Sequence, residues 1–103
     1  MDWIEIIHLR AFSASDNEGA LAAFGQLTQP ERDPSLKEIV MLRSCVLTLD
    51  LSILIIWQGQ VCPNAKSPLG LRLAAAFSEF GQIHHSTWAR QANVQARNQE
   101  PKR

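Results

Sequence analysis

The chain has 103 residues, 46% of them hydrophobic and 19% charged, with ten Lys and Arg balancing ten Asp and Glu. That length makes one domain with a real core, and the apolar fraction excludes a disordered chain. Zero formal net charge excludes a protein that holds nucleic acid mainly through its phosphates, and charge below the usual ~25% points to surface covered by a partner.

The first residues, Met1-Asp2-Trp3-Ile4-Glu5, are acidic where a signal peptide is basic. The longest apolar stretch, Val46 to Trp57, is broken by Asp50 and falls short of the ~20 residues that cross a bilayer. A cytoplasmic protein with no membrane contact is expected. Trp3 to Phe12 is rich in β-branched and aromatic residues, which predicts a strand. Both of its parities are apolar, Trp3, Ile7, Leu9 and Ala11 against Ile4, Ile6 and Phe12, as in a strand covered on both sides.

Ser15 and Glu18 have capping-box spacing. A helix is expected to follow, with Leu21, Phe24 and Leu27 on one face beside Ala20 and Ala23. Pro30 and Pro34 bracket a charged loop that ends it. Leu36 to Leu47 reads as a second strand, and Thr48-Leu49-Asp50 as a turn. Leu51 to Trp57 reads as a third strand, apolar enough to be central. Gly59 to Lys66 is a loop; Ser67-Pro68 then combines an N-cap with a first-turn proline. The second helix presents Leu69, Leu73, Ala76, Phe77 and Phe80, and Gly81 is read as its stop. Gln82 to Arg90 is a fourth strand, with Ile83, His85 and Thr87 alternating against His84, Ser86 and Trp88. Residues 1–91 thus form one domain, and 92–103 a polar tail expected to be flexible. Of the two cysteines, Cys45 is expected in the core and Cys62 in a loop; they have no metal-type spacing, and a reducing compartment argues against a disulfide.

The order β-α-β-β-α-β predicts an α+β, ferredoxin-like fold: a four-stranded antiparallel sheet with two helices on one face. The first and third strands are expected at the centre. The other sheet face has no cover within the chain, and a second copy is the simplest cover, giving a homodimer. The third strand has one aromatic and no basic residue, which excludes an RNA-recognition surface. Phe12 to Asp16 contains neither cysteine nor the glycine and arginine of an anion cradle.

With Ile55-Ile56-Trp57 closing the third strand before a loop and helix, the chain resembles the dimeric α/β-barrel superfamily over roughly Trp3 to Arg90. The likeness is to the small antibiotic-biosynthesis-monooxygenase-like domains. It implies two sheets packed face to face, a cavity between each sheet and its helices, and Trp57 at that cavity. Some members oxidise polycyclic phenols or quinols with oxygen and no cofactor; others degrade haem, using an asparagine on the first strand and a histidine in the second helix. Here the first-strand polar position is His8, and Leu69 to Phe80 contains no histidine.

Among candidate site residues, His8 and Arg10 share a strand face. An imidazole titrates near neutral pH, so His8 suits a general base that deprotonates a phenol. The plainer alternative is a core or interface histidine. His84 and His85 must face opposite ways, and His85 is the second candidate base. No spacing supplies a metal site. Trp57 and Trp88 suit an aromatic pocket or, equally, a dimer core. Arg10 and Arg43 are candidate substrate contacts; a buried Arg43 is expected to pair with Glu5 or Glu38. Three readings follow: a cofactor-independent monooxygenase acting on an aromatic small molecule, a non-catalytic ligand-binding module, and a protein-interaction module.

Overall fold

The computed structural model describes residues 2–27, 33–59, 65–92 and 94–96. In chain order the elements are β1 (Trp3–Ala11), α1 (Ala14–Gly25), β2 (Leu36–Arg43), β3 (Asp50–Trp57), α2 (Pro68–Phe77), a 3-10 turn (Ser78–Phe80) and β4 (Gly81–Ala89). All strands pair antiparallel in the order β2-β3-β1-β4. The expected ferredoxin-like fold is thus present, with the two most apolar strands at its centre.

Alternation along β1 and β3 defines two sheet faces. Trp3, Ile7, Leu9 and Ala11 on β1 and Leu51, Ile53, Ile55 and Trp57 on β3 are buried. They pack with Ala20 of α1 and with Leu73 and Phe77 of α2. Each Leu, Ile or Phe side chain among them, moved from water to the interior, contributes about 1.5–3 kcal/mol. The opposite face carries Ile4, Ile6 and His8 of β1 and Ser52, Leu54 and Ile56 of β3, all only partly buried. No described element covers that face.

Several boundaries differ from the expectation for local reasons. Ser13, not Ser15, caps α1: its hydroxyl accepts from the Asp16 amide. Glu18 is exposed, so no capping box forms. Asn17 and Ala20 are the buried residues of α1, and Leu27 lies beyond the helix and is exposed. β2 ends at Arg43 because the Ser44 hydroxyl accepts from the Val46 and Leu47 amides, turning the chain. Cys45 therefore sits exposed in a turn and not in the core. Ser67 caps α2 as expected, accepting from Gly70 N. Ala76 is exposed. Gly81 ends the helical stretch as expected, capping the 3-10 turn that prolongs α2 to Phe80, and it also opens β4, where a Cβ would lie 2.1 Å from the Arg10 carbonyl oxygen; only glycine lets the strands meet there. Pro30, Cys62 and much of the 92–103 tail lie outside the described residues. Among the described residues no helix is long and apolar enough to cross a membrane.

Candidate functional site

The sheet divides the candidate residues between its faces, and each face holds a separate polar cluster. On the helix side the cluster is built on Glu5, fully buried in β1 between Trp3 and Ile7. Four donors converge on its carboxylate. Trp57 Nε1 donates at 2.9 Å and the Ser67 hydroxyl also donates to Oε2. The Ser67 amide donates to Oε1 at 3.2 Å, and His85 Nε2 bonds the same oxygen at 2.9 Å. A buried carboxylate needs this degree of satisfaction. The His85 side chain is itself 5% exposed, and Trp57 stacks on its cross-strand partner Trp3 with ring centroids 5.3 Å apart. His85 and Trp57 thus meet through Glu5, tying β1, β3, β4 and the start of α2 together.

The open face carries the second cluster. His8, on β1, places Nε2 2.9 Å from Asp50 Oδ2. Arg10, two residues on, donates from Nε to Asp50 Oδ1 at 3.0 Å and from Nη2 to Oδ2 at 3.2 Å. The register sets this up, since Arg10 lies directly opposite Asp50 on β3 and His8 opposite His84 on β4. Hydrogen bonding from Arg10, reinforced by His8, holds the Asp50 carboxyl below its ordinary range, and the same pairing raises the Arg10 guanidinium. An ionised Asp50 only accepts hydrogen bonds. His8 Nε2 must then carry a proton, and in the neutral ring Nδ1 is the acceptor nitrogen. That is the arrangement in which a carboxylate orients an imidazole for base work.

A groove of about 240 Å³ opens at the other end of this face, lined by Ile4, Leu54, Ile56 and Trp88, with Asp2 and Arg90 among its polar residues. Trp88 is 56% exposed, yet its indole N–H is fixed on the Ser86 hydroxyl at 2.8 Å. Leu54 lies opposite Ile6 on β1, so His8 is the next open-face position beyond the groove wall, about 7 Å further along the strand.

His8, Arg10 and Trp88 therefore share the open face, while His85 and Trp57 lie on the helix side. These five residues do not form one site. Arg43 is exposed at the end of β2 and is not buried as expected; Glu5 is engaged by other groups. Asp50 and Glu5, read from the sequence as a turn residue and a salt-bridge partner, prove to be the acid of each cluster. A charged residue at an inward strand position was the signal for Glu5. Among the described residues no group of three or more His, Cys, Asp or Glu side chains could hold a metal ion.

No family model matches the chain, and no curated protein matches it. Solved structures do. A dimeric ferredoxin-like protein from an uncultured marine organism matches with a TM-score of 0.62 at 11% identity, over 92% of this chain and 93% of that one. SnoaB, a cofactor-independent oxygenase from Streptomyces nogalater, matches with a TM-score of 0.55 at 14% identity, over 90% of this chain and 96% of that one. The chain has their fold. A variant of the same oxygenase gives 0.56 at 13% identity, over the same shares. At such identity the likeness concerns architecture alone, the ferredoxin-like fold that was expected.

Proposed function

We propose that the protein is a homodimeric α/β-barrel monooxygenase that oxidises an aromatic phenol or quinol without a cofactor, using the open sheet face. The observation that carries this reading is the His8–Asp50 pair, an oriented imidazole on the open face beside the apolar Ile4, Ile6, Leu54 and Ile56. A second copy covering that face would bury Ile4, Ile6, Leu54 and Ile56 and leave the groove between two sheets. The dimeric ferredoxin-like neighbour and the cofactor-independent oxygenase support the two halves of the reading.

In the proposed reaction His8 takes the phenolic proton, and the electron-rich phenolate reacts with dioxygen at the ring carbon opposite the oxygen. The resulting hydroperoxide loses water, leaving a carbonyl at that carbon. One oxygen atom stays in the product and the other leaves as water, carrying the carbon-bound hydrogen and the proton that His8 returns. Water must be kept from the anion, and a partner sheet would do that. Arg10 holds Asp50 and so positions the base indirectly.

The test is oxygen uptake by the purified dimer with a panel of polycyclic phenols and quinols. Turnover with one oxygen consumed per carbonyl formed supports the reading. A folded dimer that turns over none of them contradicts it. The groove lining contains no histidine, which favours a second reading, a binding module without chemistry. There a retained aromatic ligand would stay unchanged in air.

A further inference from the structure

The proposed reaction moves protons at two places on one ring. The phenolic proton leaves from the oxygen, and a hydrogen leaves later from the ring carbon opposite. His8 serves the first place. Its Nε2 is bonded to Asp50 at 2.9 Å, so an imidazole fixed at the phenol oxygen does not also stand at the far carbon.

The sheet sets a second imidazole beside it. His84 on β4 lies directly opposite His8 on β1, and residues so paired project from the same face. His84 is therefore on the open face, whereas His85, the next residue, points to the helix side. The Cβ atoms of such a pair stand about 4.5–5.5 Å apart, close to the span of a phenol from its oxygen to the opposite carbon. His84 is exposed, and among the described residues no hydrogen bond or ion pair holds its ring.

The other polar groups at that end of the face are not free bases. Ser52 lies opposite His8, and Gln82 opposite Arg10; a hydroxyl and an amide do not take up a proton near neutral pH. Asp50 is engaged by Arg10 and His8. Ile4, Ile6, Leu54 and Ile56, which a second copy would bury, all lie to one side of His8 along the strands. His84 is level with His8, beyond them.

We infer that His84 is the second acid–base group of this site, touching the ring carbon where oxygen adds and removing its hydrogen. The role rests on the oxygenase reading and deepens it. Dioxygen bonds to that carbon and takes two electrons from the phenolate; the peroxide then takes the proton that His8 carries. His84 next accepts the carbon-bound hydrogen as a proton. The C–H electron pair becomes the second bond of the new carbonyl, and the O–O bond breaks. The departing hydroxide takes the proton from His84 and leaves as water, so both imidazoles end neutral. The substrate class is thereby narrowed to phenols with a hydrogen on the carbon opposite the oxygen.

The probe is 1-naphthol, which has such a hydrogen, given to an excess of wild-type or His84→Gln protein in single turnovers. The position is exposed on an edge strand, so the variant keeps its core. Oxygen uptake should stay within a few-fold in His84→Gln. Formation of 1,4-naphthoquinone should slow about 10²-fold or more, and a hydroperoxide that oxidises iodide should build up. NMR of the histidine rings reads contact without turnover: 1-naphthol should shift the His8 and His84 signals together and leave those of His85 in place. Naphthoquinone formed by His84→Gln at the wild-type rate, or naphthol that shifts His8 but not His84, would overturn the role of His84 and spare the reaction. Oxygen uptake lost in His84→Gln would overturn it too, because His84 would then act before oxygen adds. Failure of the oxygenase reading looks different: wild-type protein would consume no oxygen with 1-naphthol, whether or not both histidines shift, and the role would fall with the reaction.

Discussion

Glu5 and Gly70 meet so closely that no side chain fits between them: a Cβ on Gly70 would lie 2.1 Å from Glu5 Oε1 and 2.9 Å from His85 Cε1. The first turn of α2 is pressed onto a buried carboxylate, and its N-cap serine supplies two of that carboxylate's four hydrogen bonds. The helix is thereby keyed to one position on the sheet.

Gly70→Ala should accordingly destabilise the fold, although alanine is the better helix former. The clash is with a carboxylate that cannot move without losing its partners. Overpacking of this kind costs about 1–3 kcal/mol. Urea denaturation should show a lower midpoint for the variant, whereas an unchanged or higher midpoint would mean that α2 can slide away from Glu5 freely.

Glu5→Gln keeps the size of the side chain but turns one acceptor oxygen into a donor. Whichever way the amide turns, its NH2 faces N–H or O–H groups that need an acceptor. Removing a charged acceptor from a buried hydrogen bond costs about 1.5–3 kcal/mol for each bond lost. The variant should lose at least that much stability in urea unfolding, and more than Trp57→Phe, which removes one donor of the four.

Much of the fold was legible because periodicity reports burial directly. Two-sided apolarity marked β1 and β3 as central, and Ser67-Pro68 marked the start of α2. The turn after β2 was hidden because Cys45, Val46 and Leu47 are apolar yet exposed: Ser44 makes the turn with a hydroxyl, and composition does not reveal a hydrogen bond. The division of the site was hidden for another reason. Strand parity separates His84 from His85, but only the β1–β4 register, which sets His8 opposite His84, puts His8 and His85 on different faces. The Asp50–Arg10–His8 contact also depends on the exact β1–β3 register, which no residue of either strand sets alone.

Asp50 gives the open face a definite acid response. Its carboxyl is held below the ordinary range, chiefly by hydrogen bonding from Arg10. In the window between the folded and unfolded values the folded chain binds fewer protons, so stability rises with pH there. The contribution is complete above the ordinary aspartate range, near pH 4, and is lost as pH falls through the lowered folded value. Thermal unfolding should find Asp50→Asn less stable than the wild type at neutral pH, with the gap closing in strong acid. A gap constant down to the lowest pH would show that the carboxylate charge plays no part.

The proposed second copy is testable at Leu54, in the middle of the open face opposite Ile6. A lysine there should not disturb the core, because Leu54 faces away from the helices. It would place an unpaired charge between two apolar sheets, which is costly. Sedimentation equilibrium should show Leu54→Lys weakening the dimer on the order of a hundredfold, the equivalent of nearly 3 kcal/mol. A dimer of unchanged strength would mean that the copies meet through another surface.

The claim that the open face is the working face is tested most directly by comparing two histidine variants in one oxygen-uptake assay, normalised to folded protein. His8 stands on that face with Asp50; His85 is buried under α2 with Glu5. His8→Asn should lower turnover by about 10²–10⁴-fold, the usual value of a general base, while His85→Gln should lower stability and leave turnover per folded molecule within a few-fold. The reverse pattern, turnover lost with His85 and kept without His8, would rule out the open face and move the chemistry to the interior between sheet and helices.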